Sequence, residues 1–227
     1  MKMKKLLFVA VCAVLLAGSA FATTISVTGS GTDGALAATA DYSFTATTLL
    51  ITLTNDLTAA QVRSAGQSLS DFEFTLSGGS SITALTNISG TAVDLHGTPS
   101  SGATVTPGTP VTLDEWSLIP ASGTGSFNLT ALNGGMPDYM IVGGALGTTF
   151  YPNGNNGIGV FNSYLQHSGT FTISGTFAPG ATLSNISFSF GTGPETIIGA
   201  PDSGTTAALL GLAMIGLAAF RAKFRKA

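Results

Sequence analysis

Three observations predict an all-β body for this chain, an antiparallel β-sandwich or jelly roll. Apolar and polar residues alternate with period two in several separate stretches, and no long stretch carries an apolar period of 3.6 residues. Turn-forming pairs such as Gly78-Gly79, Pro107-Gly108, Gly134-Gly135, Asn153-Gly154 and Pro179-Gly180 punctuate the chain between these stretches. Strands with turns between them and no intervening helices point to two packed antiparallel layers.

The strands are legible in order. Leu49, Ile51 and Leu53 alternate with Leu50, Thr52 and Thr54. Phe72, Phe74 and Leu76 alternate with Asp71, Glu73 and Thr75. Phe127 and Leu129, then Phe171 and Ile173, then Ile186, Phe188 and Phe190, follow the same rule against Ser, Thr and Asn. One face of each strand is apolar, and the other carries hydroxyls or acids, as in sheets with one buried face. Asp71 and Glu73 therefore fall on the expected solvent face. A short helix is expected near residues 58–64, capped by Asn55 or Asp56. At Asp114-Glu115 the alternation changes phase, from Val111 and Leu113 to Trp116 and Leu118, which a β-bulge would explain. Residues 191–199 read as a linker.

Both ends carry segments of another kind. Lys2, Lys4 and Lys5 precede an apolar run over residues 6–17, and Ala20-Phe21-Ala22 fits the small-x-small cleavage rule. Residues 1–22 are thus expected to be a secretory signal peptide, read by the translocon and cut by signal peptidase between Ala22 and Thr23. Cys12 is not expected to be a lipidation site, because Val11 stands where a small residue is required. At the other end, Pro201, Asp202, Ser203 and Gly204 precede an apolar run over residues 205–220 and then Arg221, Lys223, Arg225 and Lys226. The run is about 24 Å long as a helix, a short transmembrane span against the roughly 20 residues usually needed. The basic cluster after it holds the C-terminus in the cytoplasm and leaves the body outside the inner membrane. The chain thus divides into residues 1–22, a β-sandwich ectodomain over 23–190, a linker over 191–199 and a C-terminal segment over 200–227.

Charge narrows the function. Between residues 23 and 199 Arg63 is the only basic side chain against ten acids, a net charge of −9. Such a body cannot neutralise a phosphate backbone, so nucleic acid is excluded as a partner. Cys12 is the only cysteine, so the body has neither a disulfide framework nor a thiolate metal site.

The order Pro201-Asp202-Ser203-Gly204, short Ala/Leu/Gly-rich segment and Arg/Lys cluster resembles the VPDSG-CTERM sorting domain. This is a variant of the PEP-CTERM signals handled by exosortases in Gram-negative bacteria. The family's motif begins with Val, and this chain has Ala200 there. The resemblance covers about 28 residues. It implies a precursor that an exosortase-type enzyme recognises, cuts near the motif and attaches elsewhere. The body resembles other exosortase-sorted ectodomains only loosely.

Candidate chemistry in the body is sparse. His96 and His167 are the only histidines, and no Gly-x-Ser-x-Gly elbow is present, since Gly66-Gln67-Ser68-Leu69-Ser70 lacks the second glycine. Two carboxylate pairs, Asp71 with Glu73 and Asp114 with Glu115, have the composition of a glycosidase acid–base pair, but exposed strand-face acids are usually only solvated. Calcium is the one metal to consider, at Gly31-Thr32-Asp33-Gly34 with Asp138, although no Asp-x-Asp-x-Asp loop exists; no other cofactor is expected. Tyr151, Asn153, Asn155, Asn156 and Tyr164 form the most distinctive loop. Amides beside aromatics suit sugar binding, and equally suit a turn whose aromatics fill the core. Three Asn-x-Ser/Thr sequons, at Asn87, Asn128 and Asn185, are expected to be coincidence in so Ser/Thr-rich a chain, given the bacterial origin that the resemblance implies. The expected function is a non-catalytic exported surface or extracellular-matrix protein. The alternative is a carbohydrate-binding module recognising extracellular polysaccharide.

Overall fold

The computed structural model describes residues 22–98, 101–132, 136–193 and 196–199. The signal peptide with Ala20, the motif Pro201–Gly204, the apolar segment 205–220 and the basic residues Arg221, Lys223, Arg225 and Lys226 lie outside the described residues, and Ala22 opens them. Among the described residues no helix is long and apolar enough to cross a membrane.

The body is all-β. Its strands are β1 (Thr23–Gly31), β2 (Gly34–Phe44), β3 (Thr48–Asn55), β4 (Leu69–Leu76), β5 (Ser81–Thr98), β6 (Gly102–Pro107), β7 (Ser117–Pro120), β8 (Ser126–Thr130), β9 (Ile141–Val142), β10 (Phe150–Tyr151), β11 (Tyr164–Thr176), β12 (Leu183–Phe190) and β13 (Thr196–Gly199). They pair in two antiparallel runs. One runs β1-β2-β3-β11-β5-β6-β10, and the other β13-β12-β4-β8-β7. The two runs are not separate sheets. The short strand β9 pairs in parallel with β11 through Leu165 and Gln166, and antiparallel with β4 through Leu69, so a single hydrogen-bonded network results.

The alternation seen in the sequence is the core. Leu49, Ile51 and Leu53 of β3, Phe72 and Phe74 of β4, Phe171 and Ile173 of β11 and Phe188 of β12 are all fully buried. Phe72 stacks edge-on against Phe188 with ring centroids 5.1 Å apart. Trp116 packs on Phe171 at 4.7 Å, which ties the segment before β7 to β11 of the other run.

Three expectations about local structure are corrected. No helix forms over residues 58–64. Thr58 and Gln61 close a single turn instead, Gln61 N–H donating to Thr58 O at 2.9 Å. The only helical turn nearby is the 3-10 turn Ala65–Gln67, capped by Ser64. Asn55 is unavailable as a cap because its amide is spent inside the core. No bulge forms at 114–115, because residues 108–116 lie outside any strand, between β6 and β7. Glu115 N–H donates to Thr112 O at 3.3 Å, Leu113 turns out to solvent, and Trp116 turns in with its indole N–H on Tyr139 O at 3.1 Å. The stretch read as a linker ends in β13, which pairs with β12, and Ile198 covers Gly29 of β1. The absent side chain of Gly29 makes that contact possible: a Cβ there would stand 2.6 Å from Ile198 Cδ1.

Two buried amides hold the connection between the runs. Asn55 Nδ2 donates to Gln67 O (2.8 Å) and Ile141 O (3.0 Å), and its Oδ1 accepts the Leu57 N–H (3.2 Å). Gln67 Nε2 donates to Ala35 O (2.9 Å) and Gln61 O (3.1 Å), and its Oε1 accepts the Arg63 N–H (2.7 Å). Replacing Asn55 by Leu would strand two carbonyls and one N–H in the interior, at a cost of about 1–3 kcal/mol each. Asn55→Leu is expected to lower unfolding stability by at least about 3 kcal/mol in urea titration; an unchanged midpoint would show that these bonds do not hold the junction.

Candidate functional site

A cleft of about 300 Å³ lies where the β1–β2 turn, the 3-10 turn Ala65–Gln67, the loop after β10 and the end of β12 meet. Its floor is Ser64, Ala65, Phe190 and Gly191, all buried; its rim is Thr32, Asp33, Asn155 and Thr192, all exposed; half-buried Phe161 forms a wall. The volume is at the low end for small-molecule sites.

The local sequence explains why Asp33 faces this cleft. Ser64 Oγ donates to Asp33 Oδ2 at 2.6 Å while accepting the Gly66 N–H at 3.1 Å. A Cβ at Gly66 would lie 2.2 Å from Asp33 Oδ2, so any larger residue there would displace the carboxylate from this position. Gly191, at φ +94, then packs its backbone against Gly66. Asp33 is thus oriented by one oxygen, and the other is free to accept from a ligand hydroxyl. Arg63, exposed and without an ion-pair partner among the described residues, adjoins Ser64, and its carbonyl accepts the Asn155 N–H at 2.7 Å.

The residues singled out in the sequence separate into two groups. Asn155 enters the cleft, but its Oδ1 also caps the 3-10 turn Asn156–Phe161 by accepting the Ile158 N–H at 3.1 Å. Asn153 donates to Ala60 O at 2.7 Å, and Asn156 is exposed at the start of that turn. Tyr151 and Tyr164 are fully buried and cannot stack on a sugar. Their hydroxyls donate to Gly143 O (2.7 Å) and Ile158 O (2.6 Å), and burial pushes both phenols above their ordinary range. The two tyrosines are core residues with satisfied polar tips. Of the two aromatics that line the cleft, Phe190 is buried and Phe161 is the more accessible. The cue for it in sequence was its place in the same Asn-rich loop.

The residues considered for calcium, Asp33 and Asp138, have different neighbours. Asp33 already gives one oxygen to Ser64, and Asp138 stands beside Glu115 and Tyr139 instead. Partial burial, then Asp114 and Asp138, hold the Glu115 carboxyl above its ordinary range. Asp114 is held below its range by the Thr112 hydroxyl. His96 Nε2 pairs with Thr106 Oγ1 at 3.0 Å on the surface. His167 sits at φ 69 in the irregular stretch of β11, and its buried Nδ1 has no hydrogen-bond partner.

Asp71 departs most from expectation. It is buried at 4 % exposure rather than solvated. Burial raises its carboxyl above the usual range, with the Thr130 hydroxyl and Asn128 amide opposing the shift and Glu73 adding to it.

Comparison with known proteins identifies the tail and not the body. Residues 201–224 match the VPDSG-CTERM motif, a PEP-CTERM-like exosortase sorting signal. No curated protein and no solved structure matches the chain.

The raised Glu115 carboxyl fixes a sign for pH dependence. A carboxyl whose folded pKa lies above its unfolded value destabilises the fold once pH exceeds the unfolded range, and has no effect below it. Glu115→Gln is therefore expected to be more stable than the parent at pH 7, by less than about 1 kcal/mol because the group is screened by solvent. The gain should vanish near pH ~3, where Glu is protonated in both states; a gain that persists there in thermal melts would mean the effect is not electrostatic.

Proposed function

We propose that this chain is a non-catalytic exported surface or extracellular-matrix protein. In this reading the translocon exports it, signal peptidase removes residues 1–22, and an exosortase-type enzyme processes the C-terminal signal. The observation that carries the reading is the sorting-motif match over residues 201–224. The charge distribution supports it. Seven of the eight basic residues lie in the two terminal segments, where cationic flanks set membrane topology, and the body keeps one.

The roles follow from physical position. Pro201, Asp202, Ser203 and Gly204 are the motif that the enzyme would recognise. Residues 205–220 hold the precursor in the bilayer, and Arg221, Lys223, Arg225 and Lys226 stop its passage. The body is then a sandwich whose two runs share one core. Mass spectrometry of the protein from its native envelope is expected to show a mature C-terminus near Pro201–Gly204. An intact Ala227 on the mature protein would contradict processing.

The cleft favours a second reading, a carbohydrate-binding module. Asp33, Asn155 and Thr192 offer hydroxyl partners around the Phe161 wall, and the net charge of −9 selects against anionic polymers. On a glycan array the protein is expected to bind a neutral polysaccharide, with Asp33→Ala and Phe161→Ala each weakening it by about tenfold or more, the scale of one lost hydrogen bond or stacking contact. Absence of binding, or binding indifferent to both substitutions, would remove this reading.

A further inference from the structure

The face of β4, β8 and β12 opposite their phenylalanines carries an array of oxygen side chains, of which Asp71, Thr130 and Ser189 are buried. Register places Ser189, Asp71 and Thr130 in one cross-strand row, and Ser187, Glu73 and Asn128 in the next. Residues two apart on a strand share a face, so all six project from the same side. The opposite side of the same strands carries Phe72, Phe74, Phe188 and Leu129.

Hydrogen bonding in this array does not close. Asp71 is nine-tenths buried and more, yet its Oδ1 has no donor. Asn128 Oδ1 is also buried without a donor. Two acceptors cannot satisfy one another, and a buried carboxylate with an open lone pair is costly. The Thr130 hydroxyl and the Asn128 amide partly oppose the rise of the Asp71 carboxyl, yet Asp71 Oδ1 and Asn128 Oδ1 stay without a donor. Glu73, half-exposed, adds a second carboxylate and an opening to solvent.

We propose that this array binds a divalent cation of the calcium class, through Asp71 Oδ1, Asn128 Oδ1 and the Glu73 carboxylate. The donor set is oxygen alone, with no imidazole or thiolate, which suits a hard cation rather than zinc or copper. Two negative charges and one amide make a modest site, in the range of about 10⁻⁴–10⁻³ M found in extracellular modules. Ser187 and Ser189 hydroxyls and water fill the remaining positions. The array lies apart from the cleft and does not depend on sugar binding.

Thermal melting of the purified chain tests this, after chelator treatment, with CaCl₂ added to about 10 mM against NaCl of equal ionic strength. Calcium is expected to raise Tm by about 3–5 °C for a Kd near 1 mM. Asp71→Asn should abolish the calcium-dependent rise. Glu73→Gln, at a half-exposed position that tolerates substitution, should reduce it and so keeps the test open if the Asp71 variant fails to fold. Four outcomes overturn the proposal: no shift with calcium, a shift equal to that of NaCl, a rise undiminished in Glu73→Gln, or stabilisation by acid alone, which would assign the missing donor to a proton.

Discussion

Two amide side chains, Asn55 and Gln67, are the constraint on which the rest of the body depends. Each is buried, and each must satisfy a carbonyl and an NH₂ group away from water. Asn55 does so by joining the end of β3 to the backbone of β9, the strand that bonds to both runs. Gln67 does so by gathering Ala35, Gln61 and Arg63 around one side chain. These bonds tie down the segment between β3 and β4, which has no helical structure over 58–64. That conformation sets Ser64 and Gly66 against Asp33 and makes the cleft. The core supplies most of the stabilisation through apolar burial, but burial is non-directional. The amides supply the direction.

The period-two core was legible because alternation is a local property. Ile51, Phe72, Phe171 and Phe188 can be assigned to the interior from neighbours two residues away. What escaped was set by distant partners. Asn55 reads as a helix cap when only residues 56–64 are considered, yet the Ile141 carbonyl it serves is 86 residues on. Trp116 reads as a bulge, because nothing local shows that Tyr139 accepts its indole N–H. Asp71 reads as solvated by the same alternation rule that places Phe72 correctly; its burial depends on the rows that β8 and β12 lay beside it. The Tyr151 and Tyr164 hydroxyls meet carbonyls eight and six residues away, in contacts that a turn-rich loop does not disclose. The cleft joins residues from four parts of the chain, of which only Asp33 and the Asn155 loop had drawn notice.

Destination and body are chemically independent in this account. The sorting signal is a short linear pattern whose order of polar motif, apolar segment and basic cluster carries the information. The body contributes a folded, anionic cargo held by apolar burial and by buried polar groups that are satisfied in most places. Two of the unsatisfied atoms, Asp71 Oδ1 and Asn128 Oδ1, lie at the Asp71 face, and Ser68 Oγ and His167 Nδ1 lie elsewhere.

The central claim is that residues 201–227 decide where the body resides and not whether it folds. The most direct measurement is cell fractionation of the native host expressing the chain truncated after Ala200, beside the full-length chain. The account predicts that the truncated body is exported, resists protease as the full-length body does, and is released to the soluble extracellular or periplasmic fraction instead of the envelope. Retention at the same site as the full-length chain would contradict it.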